Sequence, residues 1–271
     1  MIIGIDLGTT NSALAYTSGE EVLSLPIPQL VHPNEVSTEP LLPSFIYLQG
    51  PKEFSEGSLS LPWEDAPPFI SGTLARRRGA EAQSRLISSA KSWLSFTGQD
   101  PNSPFLPLHA GEGVKKMSPV DASCAYLEHL NEAWQAAGNE PLAKHEVVLT
   151  VPASFDAVAR DLTQKAAAKA GLQKLVLLEE PQAAFYAWIE KHADWRERLP
   201  VGARILIIDI GGGTTDFTLI DVKDQQGSLT LERVAVAGLQ AIYSKHSNGS
   251  SCYSWTACRG SKCWCGAQPG G

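Results

Sequence analysis

One short pattern occurs twice in this chain, and it limits the possible folds more than any other feature. The first copy is Ile2-Ile3-Gly4-Ile5-Asp6-Leu7-Gly8-Thr9-Thr10-Asn11-Ser12-Ala13-Leu14-Ala15. The second is Ile205-Leu206-Ile207-Ile208-Asp209-Ile210-Gly211-Gly212-Gly213-Thr214-Thr215-Asp216-Phe217-Thr218-Leu219-Ile220. Both read as an apolar strand carrying an aspartate, a glycine turn, a Thr-Thr pair and a second, alternating strand. Aligned on Asp6 and Asp209, the copies differ by two extra glycines in the second. Duplication of a β-hairpin predicts two related lobes, each opening on the same device.

Between the copies the sequence alternates strand and helix, which argues an α/β fold. Phe45-Ile46-Tyr47-Leu48 reads as a strand after Pro40-Leu41-Leu42-Pro43, and residues 49–69, rich in Pro, Ser, Gly and Glu, read as loop. Ser118-Pro119 opens a helix with Cys124, Leu127, Leu130 and Trp134 near one face. Glu146 to Val151 is a buried strand closing on Pro152. A helix from about Asp156 to Ala170 follows, with Val158, Leu162, Ala166 and Ala170 on one side and Gly171 as its stop. Leu175 to Leu178 is a short strand, and Pro181 sits in the first turn of a helix carrying Ala183, Ala184, Tyr186 and Trp188. Residues 195–203, with Pro200 and Gly202, read as the link into the second lobe.

The repeated hairpin suits phosphate chemistry. A glycine turn after a buried strand lets backbone N–H groups approach phosphate oxygens with no Cβ in the way. Adjacent threonines add hydroxyl donors, and an aspartate at the strand end offers a hard oxygen to Mg²⁺, usually through water. Two such hairpins facing each other across a cleft would grip one polyphosphate and one Mg²⁺ from both sides, which is how phosphoryl transfer is catalysed.

Bulk properties exclude other classes. Of 271 residues 43% are hydrophobic, spread along the chain, so a packed core is within reach. No run approaches the roughly eighteen apolar residues that span a bilayer, and the N-terminus lacks a basic leader, so no membrane partner and a cytoplasmic location are expected. The balance of 22 Lys+Arg against 29 Asp+Glu, net −7, argues against a nucleic-acid partner. It leaves a nucleotide open, because a small polyphosphate is held by local backbone and metal.

At the level of motifs the chain resembles the heat-shock protein 70 chaperones, members of the actin-like ATPase superfamily with a ribonuclease H-like fold. Asp6-Leu7-Gly8-Thr9-Thr10-Asn11-Ser12 looks like that family's first phosphate motif, and Asp209-Ile210-Gly211-Gly212-Gly213-Thr214-Thr215-Asp216 like its second. Val151-Pro152-Ala153-Ser154-Phe155 and Leu178-Glu179-Glu180-Pro181-Gln182-Ala183-Ala184 resemble its connecting segments. The resemblance implies ATP or ADP with Mg²⁺ as ligands, ATP hydrolysis as the reaction, a role in stress response, and co-chaperones and unfolded clients as partners of a full-length parent. It implies that Asp6 and Asp209 hold the Mg²⁺ shell. Gly8, Thr9, Thr10, Asn11, Gly211, Gly212, Gly213, Thr214 and Thr215 then line the phosphates, and Glu180 orients water or metal. Arg160 and Pro181 match positions that relay nucleotide state. Residues 1–199 are expected as a complete first lobe, with a loose subdomain at about 37–116, and 200–236 as the start of a truncated second lobe.

The chain departs from the family pattern in two places. Arg76, in Gly72-Thr73-Leu74-Ala75-Arg76-Arg77-Arg78, falls where a γ-phosphate lysine is expected, while Lys91 reads as structural or surface. Residues 237–271 contain no Asp or Glu and collect Cys252, Cys258, Cys263 and Cys265 with no period of 2 or 3.6. This tail is expected to be foreign to the fold and to lack a packed core. Its cysteines have no Cys-x-x-Cys pair, so no structural zinc is expected. The competing readings are a non-hydrolysing nucleotide- or partner-binding fragment and an actin-type sugar or acetate kinase.

Overall fold

The computed structural model describes residues 1–211, 214–225, 228–245, 251–259 and 262–266. The chain forms two compact units, Met1–Thr150 with Asp156–Leu177, and Val151–Phe155 with Leu178–Gly271.

In chain order the first unit begins with β1 (Ile2–Leu7), β2 (Asn11–Ser18), β3 (Glu21–Ser24), β4 (Ile27–His32), β5 (Glu35–Glu39), β6 (Leu42–Pro43), β7 (Phe45–Tyr47) and β8 (Ile70–Ser71). It continues with α1 (Thr73–Glu81), β9 (Leu86–Ser88), α2 (Pro119–Ala136), β10 (Glu146–Val151), α3 (Ala157–Lys169) and β11 (Leu175–Glu179), with the ends of β10 and β11 belonging to the second unit. The main sheet runs β11-β10-β1-β2-β3, with β6 pairing β2. β1 is antiparallel to β2 and parallel to β10, so this is the mixed sheet that a hairpin followed by a strand–helix–strand run should give.

The core of this unit follows from the pleat of β1. Ile3, Ile5 and Leu7 point to one face and are buried there, and α2 packs against β1 and β2. α2 starts where the Ser118 hydroxyl accepts the Asp121 N–H at 3.0 Å, and its Cys124, Leu127, Leu130 and Trp134 are buried as the sequence spacing predicts. α3 starts in the same way on Asp156, which accepts from the Ala159 N–H at 2.8 Å. Of its expected stripe Leu162, Ala166 and Ala170 are buried, but Val158 is exposed, and Ala159, Thr163 and Ala167 join the inward face. Small side chains on that stripe let α3 approach α2 closely, which outweighs the gain from burying one valine.

The second unit contains α4 (Glu180–Lys191), α5 (Trp195–Arg198), β12 (Arg204–Ile210), β13 (Thr214–Gln225), β14 (Ser228–Lys245), β15 (Ser251–Arg259) and β16 (Lys262–Gly266). Pro181 lies in the first turn of α4, but the buried residues of that helix are Pro181 and Phe185, while Tyr186 is exposed. The five later strands form one antiparallel sheet in sequence order. Strand backbone passes Val236 and runs to Lys245, and Gly238–Lys245 pairs with Ser251–Cys258, where the sequence shows no strand period. Antiparallel pairing uses backbone groups alone, so a ladder can form without side-chain alternation.

Candidate functional site

The first hairpin joins β1 to β2 through Gly8, Thr9 and Thr10, with Asp6 opposite Ala13 and Leu7 opposite Ser12. Asp6 is exposed on the open face of the sheet, and its Oδ1 accepts the Thr150 hydroxyl of β10 at 2.8 Å. Gly8 has no substitute. A Cβ built there would lie 2.1 Å from the Asn11 carbonyl oxygen, far inside any real contact. The turn is thus compressed until only bare backbone fits.

Ser44 fixes that turn from the side. Its Oγ donates to the Gly8 carbonyl at 2.8 Å and its N–H donates to the Thr10 carbonyl at 2.8 Å. The fully buried Ser12 hydroxyl lies 3.0 Å from the Ser44 Oγ, and because Ser44 spends its proton on Gly8, Ser12 is the donor. Nothing in the sequence pattern marks Ser44 or Thr150: each acts through a neighbour that pairing brings from far along the chain.

The second hairpin repeats the register logic. Asp209 lies opposite Asp216 and Ile210 opposite Thr215 across β12 and β13. Asp209 is half-buried, Gly211 exposed, Thr215 half-buried, and Asp216 and Thr218 are buried. Thr214 begins β13, and Gly212 and Gly213 lie outside the described residues.

Of the other predicted residues, Glu180 is the first residue of α4, a position that favours a carboxylate by the helix dipole. Its neighbour Glu179 is buried and bonded by the Arg233 guanidinium. Arg160 is half-buried on α3, and Pro181 is buried in α4.

The three consecutive arginines of α1 have separate surroundings. Arg77 donates to the Val31 carbonyl at 2.8 Å, and Arg78 pairs with Glu53 at 3.0 Å and with Glu81, its guanidinium over the Phe54 ring. Arg76 is exposed. α1 itself is set by Gln29, whose fully buried Oε1 accepts from both the N–H and the hydroxyl of Thr73 at 3.0 Å. Lys91 is not a surface residue, for it is buried in the short helical turn Ala90–Ser95. A buried ammonium is costly unless compensated, so burial singles out a lysine that the sequence left ordinary.

Mixed sheet, flanking helices and a repeated Asp–Gly–Thr–Thr hairpin fit the actin-like ATPase class. A family profile described as "Hsp70 protein" matches residues 73–236, a span that includes the second hairpin and lies beyond the first. The chain belongs to the Hsp70 family. It is similar to proteins named "Chaperone protein HscA homolog" from Acinetobacter baumannii strains AYE, ACICU and AB0057. Each is 31% identical over 245 residues, covering 89% of this chain and 35% of the relative. The chain thus spans about a third of the length of these curated relatives. Among the described residues, no helix is long and apolar enough to cross a membrane.

Proposed function

We propose that this chain supplies the phosphate-gripping part of the ATP-binding, ATP-hydrolysing domain of a heat-shock protein 70-type chaperone. The observation that carries this reading is the compressed first turn, in which a Cβ at Gly8 would meet the Asn11 oxygen at 2.1 Å. Evolution of a turn that tolerates no side chain makes sense where backbone N–H groups must reach a ligand. The residues also fit the charge of that ligand: Asp6 stands exposed at the strand end, available to the hydration shell of a cation.

In this reading Thr9, Thr10 and Asn11 donate to phosphate oxygens from one hairpin, and Gly211, Gly212, Gly213, Thr214 and Thr215 from the other. Asp6 and Asp209 hold the waters of Mg²⁺, and Glu180 orients the attacking water. Bound Mg²⁺ supplies charge neutralisation at the phosphate oxygens. Arg76 is the proposed cation for the terminal phosphate, and the buried Lys91 is the second candidate for that role. Arg160 and Pro181 are proposed to report nucleotide state, and co-chaperones, unfolded clients, stress response and a cytoplasmic location belong to the same proposal.

A second reading is a fragment that binds nucleotide without turnover. It is favoured by the open apolar stripe of β12, where Leu206, Ile208 and Ile210 are exposed and the second hairpin lacks the cover that would hold it rigid. A displacement of about 1 Å costs roughly 100-fold in rate, so we expect slow hydrolysis from these 271 residues alone.

Titration with ATP, with and without Mg²⁺, tests binding, and single-turnover hydrolysis separates the two readings. Asp209→Asn should weaken Mg²⁺-dependent binding by about tenfold, since it removes one charge from the metal shell. Unchanged affinity and unchanged metal dependence would refute the assignment.

A further inference from the structure

The first unit contains a cavity of about 510 Å³ that includes no residue of the β1–β2 hairpin. That volume lies within the range of small-molecule sites. Its lining includes Leu30, Phe69 and the indole of Trp63 together with Glu64, Glu128, Glu132 and Lys169. Trp63 is held in a tight turn in which Leu61 and Glu64 exchange backbone hydrogen bonds of 2.8 and 3.2 Å. Glu128 and Glu132 are one helical turn apart on α2 and so share a face.

His129 adds an independent observation. It is only 7% exposed, and its ring meets Trp63 edge-on with centroids 5.1 Å apart. Nε2 lies 2.9 Å from the Pro28 carbonyl, which can only accept, so the ring proton sits on Nε2. Burial holds this imidazole down to about 4, which keeps it neutral and leaves Nδ1 as a lone-pair acceptor. Nδ1 has no partner among the described residues, yet it is not one of the sealed polar atoms, so it borders open space. The open space that His129 lines is this cavity.

The cation already nearby is committed, since Lys169 pairs with Asp121. The Cys124 thiol, pushed up to about 12 by burial and by Glu128, stays protonated and adds no charge. Beside that paired ammonium the lining holds three carboxylates, the His129 acceptor, the Ser71 hydroxyl, the Asn131 amide and the Trp63 indole. Carboxylates outnumber the single ammonium, and that excess of negative charge suits a ligand that brings positive charge.

We propose that this cavity binds a small organic cation, a guanidinium or primary ammonium on a short alkyl frame. Its head meets Glu128, Glu132 and His129 Nδ1, and its frame lies against Trp63. Calorimetric titration with agmatine should saturate with a dissociation constant of about 1 mM or tighter. The neutral analogue N-butylurea should not bind. Glu128→Gln with Glu132→Gln should weaken agmatine binding at least about tenfold. Glu35→Gln with Glu39→Gln, the same charge change on β5, should leave it within about twofold. Trp63→Phe should remove the fluorescence change that accompanies binding. The proposal is overturned by N-butylurea binding as tightly as agmatine, by no saturation with agmatine, or by equal weakening from the two double substitutions. None of these readouts involves nucleotide, so the result stands apart from the ATPase reading.

Discussion

The two hairpins carry one motif in different company. Aligned on their aspartates, Ile3, Ile5 and Leu7 of β1 correspond to Leu206, Ile208 and Ile210 of β12. The first three are 0, 1 and 1% exposed, the second three 56, 51 and 77%. β1 runs between β10 and β2 and lies under α2; β12 is the edge of its sheet, with α4 packed on it. Local pattern therefore specifies strand, turn and strand, but whether the apolar face is covered depends on elements elsewhere in the chain. A motif of this kind becomes a rigid device only when its neighbours arrive.

The sharpest way to break the comparison is at the first turn. Gly8→Val forces a side chain against the Asn11 carbonyl, backbone that cannot swing aside. We expect a loss of at least ~4 kcal/mol, at the extreme of single substitutions, and loss of Mg-nucleotide binding. Urea unfolding alongside ATP titration measures both, and a stable, nucleotide-binding Gly8→Val protein would mean the turn is looser than its geometry.

Next comes the covered face of the same hairpin. Ile5→Ala removes a side chain from a packed core and should cost ~2–5 kcal/mol in unfolding free energy, with the spread set by how far α2 and β2 can collapse into the space. A cost below ~1 kcal/mol would show that burial here does not translate into support, and the contrast with β12 would lose its meaning.

Much of this was legible in the sequence, and the limits have a physical pattern. Caps are local, so Ser118 and Asp156 announce α2 and α3, and Gly171, at φ 83°, ends α3 as a glycine stop should. The duplication gave the hairpins because a strand–turn–strand unit is written in consecutive residues. Faces were harder. The inward stripe of α3 keeps Leu162, Ala166 and Ala170 but takes in Ala159 rather than Val158, since the approach of α2 decides it. The site residues that act by support, Ser44 on the turn, Thr150 on Asp6 and Gln29 on α1, were invisible for the same reason: each works on a partner distant in sequence. For Lys91 the sequence leaves a structural and a surface role open, because no pattern of one residue encodes its burial.

A smaller effect probes that support directly. Ser44→Ala leaves the half-buried Gly8 carbonyl without its hydroxyl donor and removes the acceptor of the fully buried Ser12. An unmet buried polar group costs ~1–3 kcal/mol, so stability should fall by that amount. Affinity for ATP should fall while affinity for adenosine, which has no phosphate, stays the same. Equal losses for both ligands would place Ser44 in general packing rather than in the turn.

The smallest effect is expected where the motif is the same and the cover is missing. Ile208→Ala makes the same chemical change as Ile5→Ala at the aligned position of the second hairpin. Ile208 is 51% exposed on an edge strand, so half of its side chain already meets water and little transfer energy remains to lose. Surface substitutions of this kind stay within ~0.5 kcal/mol, with a small further cost from exchanging a β-branched residue for alanine in a strand. The exposed stripe of Leu206, Ile208 and Ile210 is also a surface that another apolar face can cover, so its main consequence should be self-association. Ile208→Lys is therefore expected to leave the urea midpoint nearly unchanged while shifting sedimentation toward monomer. A destabilisation by Ile208→Ala as large as that of Ile5→Ala would require β12 to be covered in solution, and the difference between the two hairpins would then lie only in their turns.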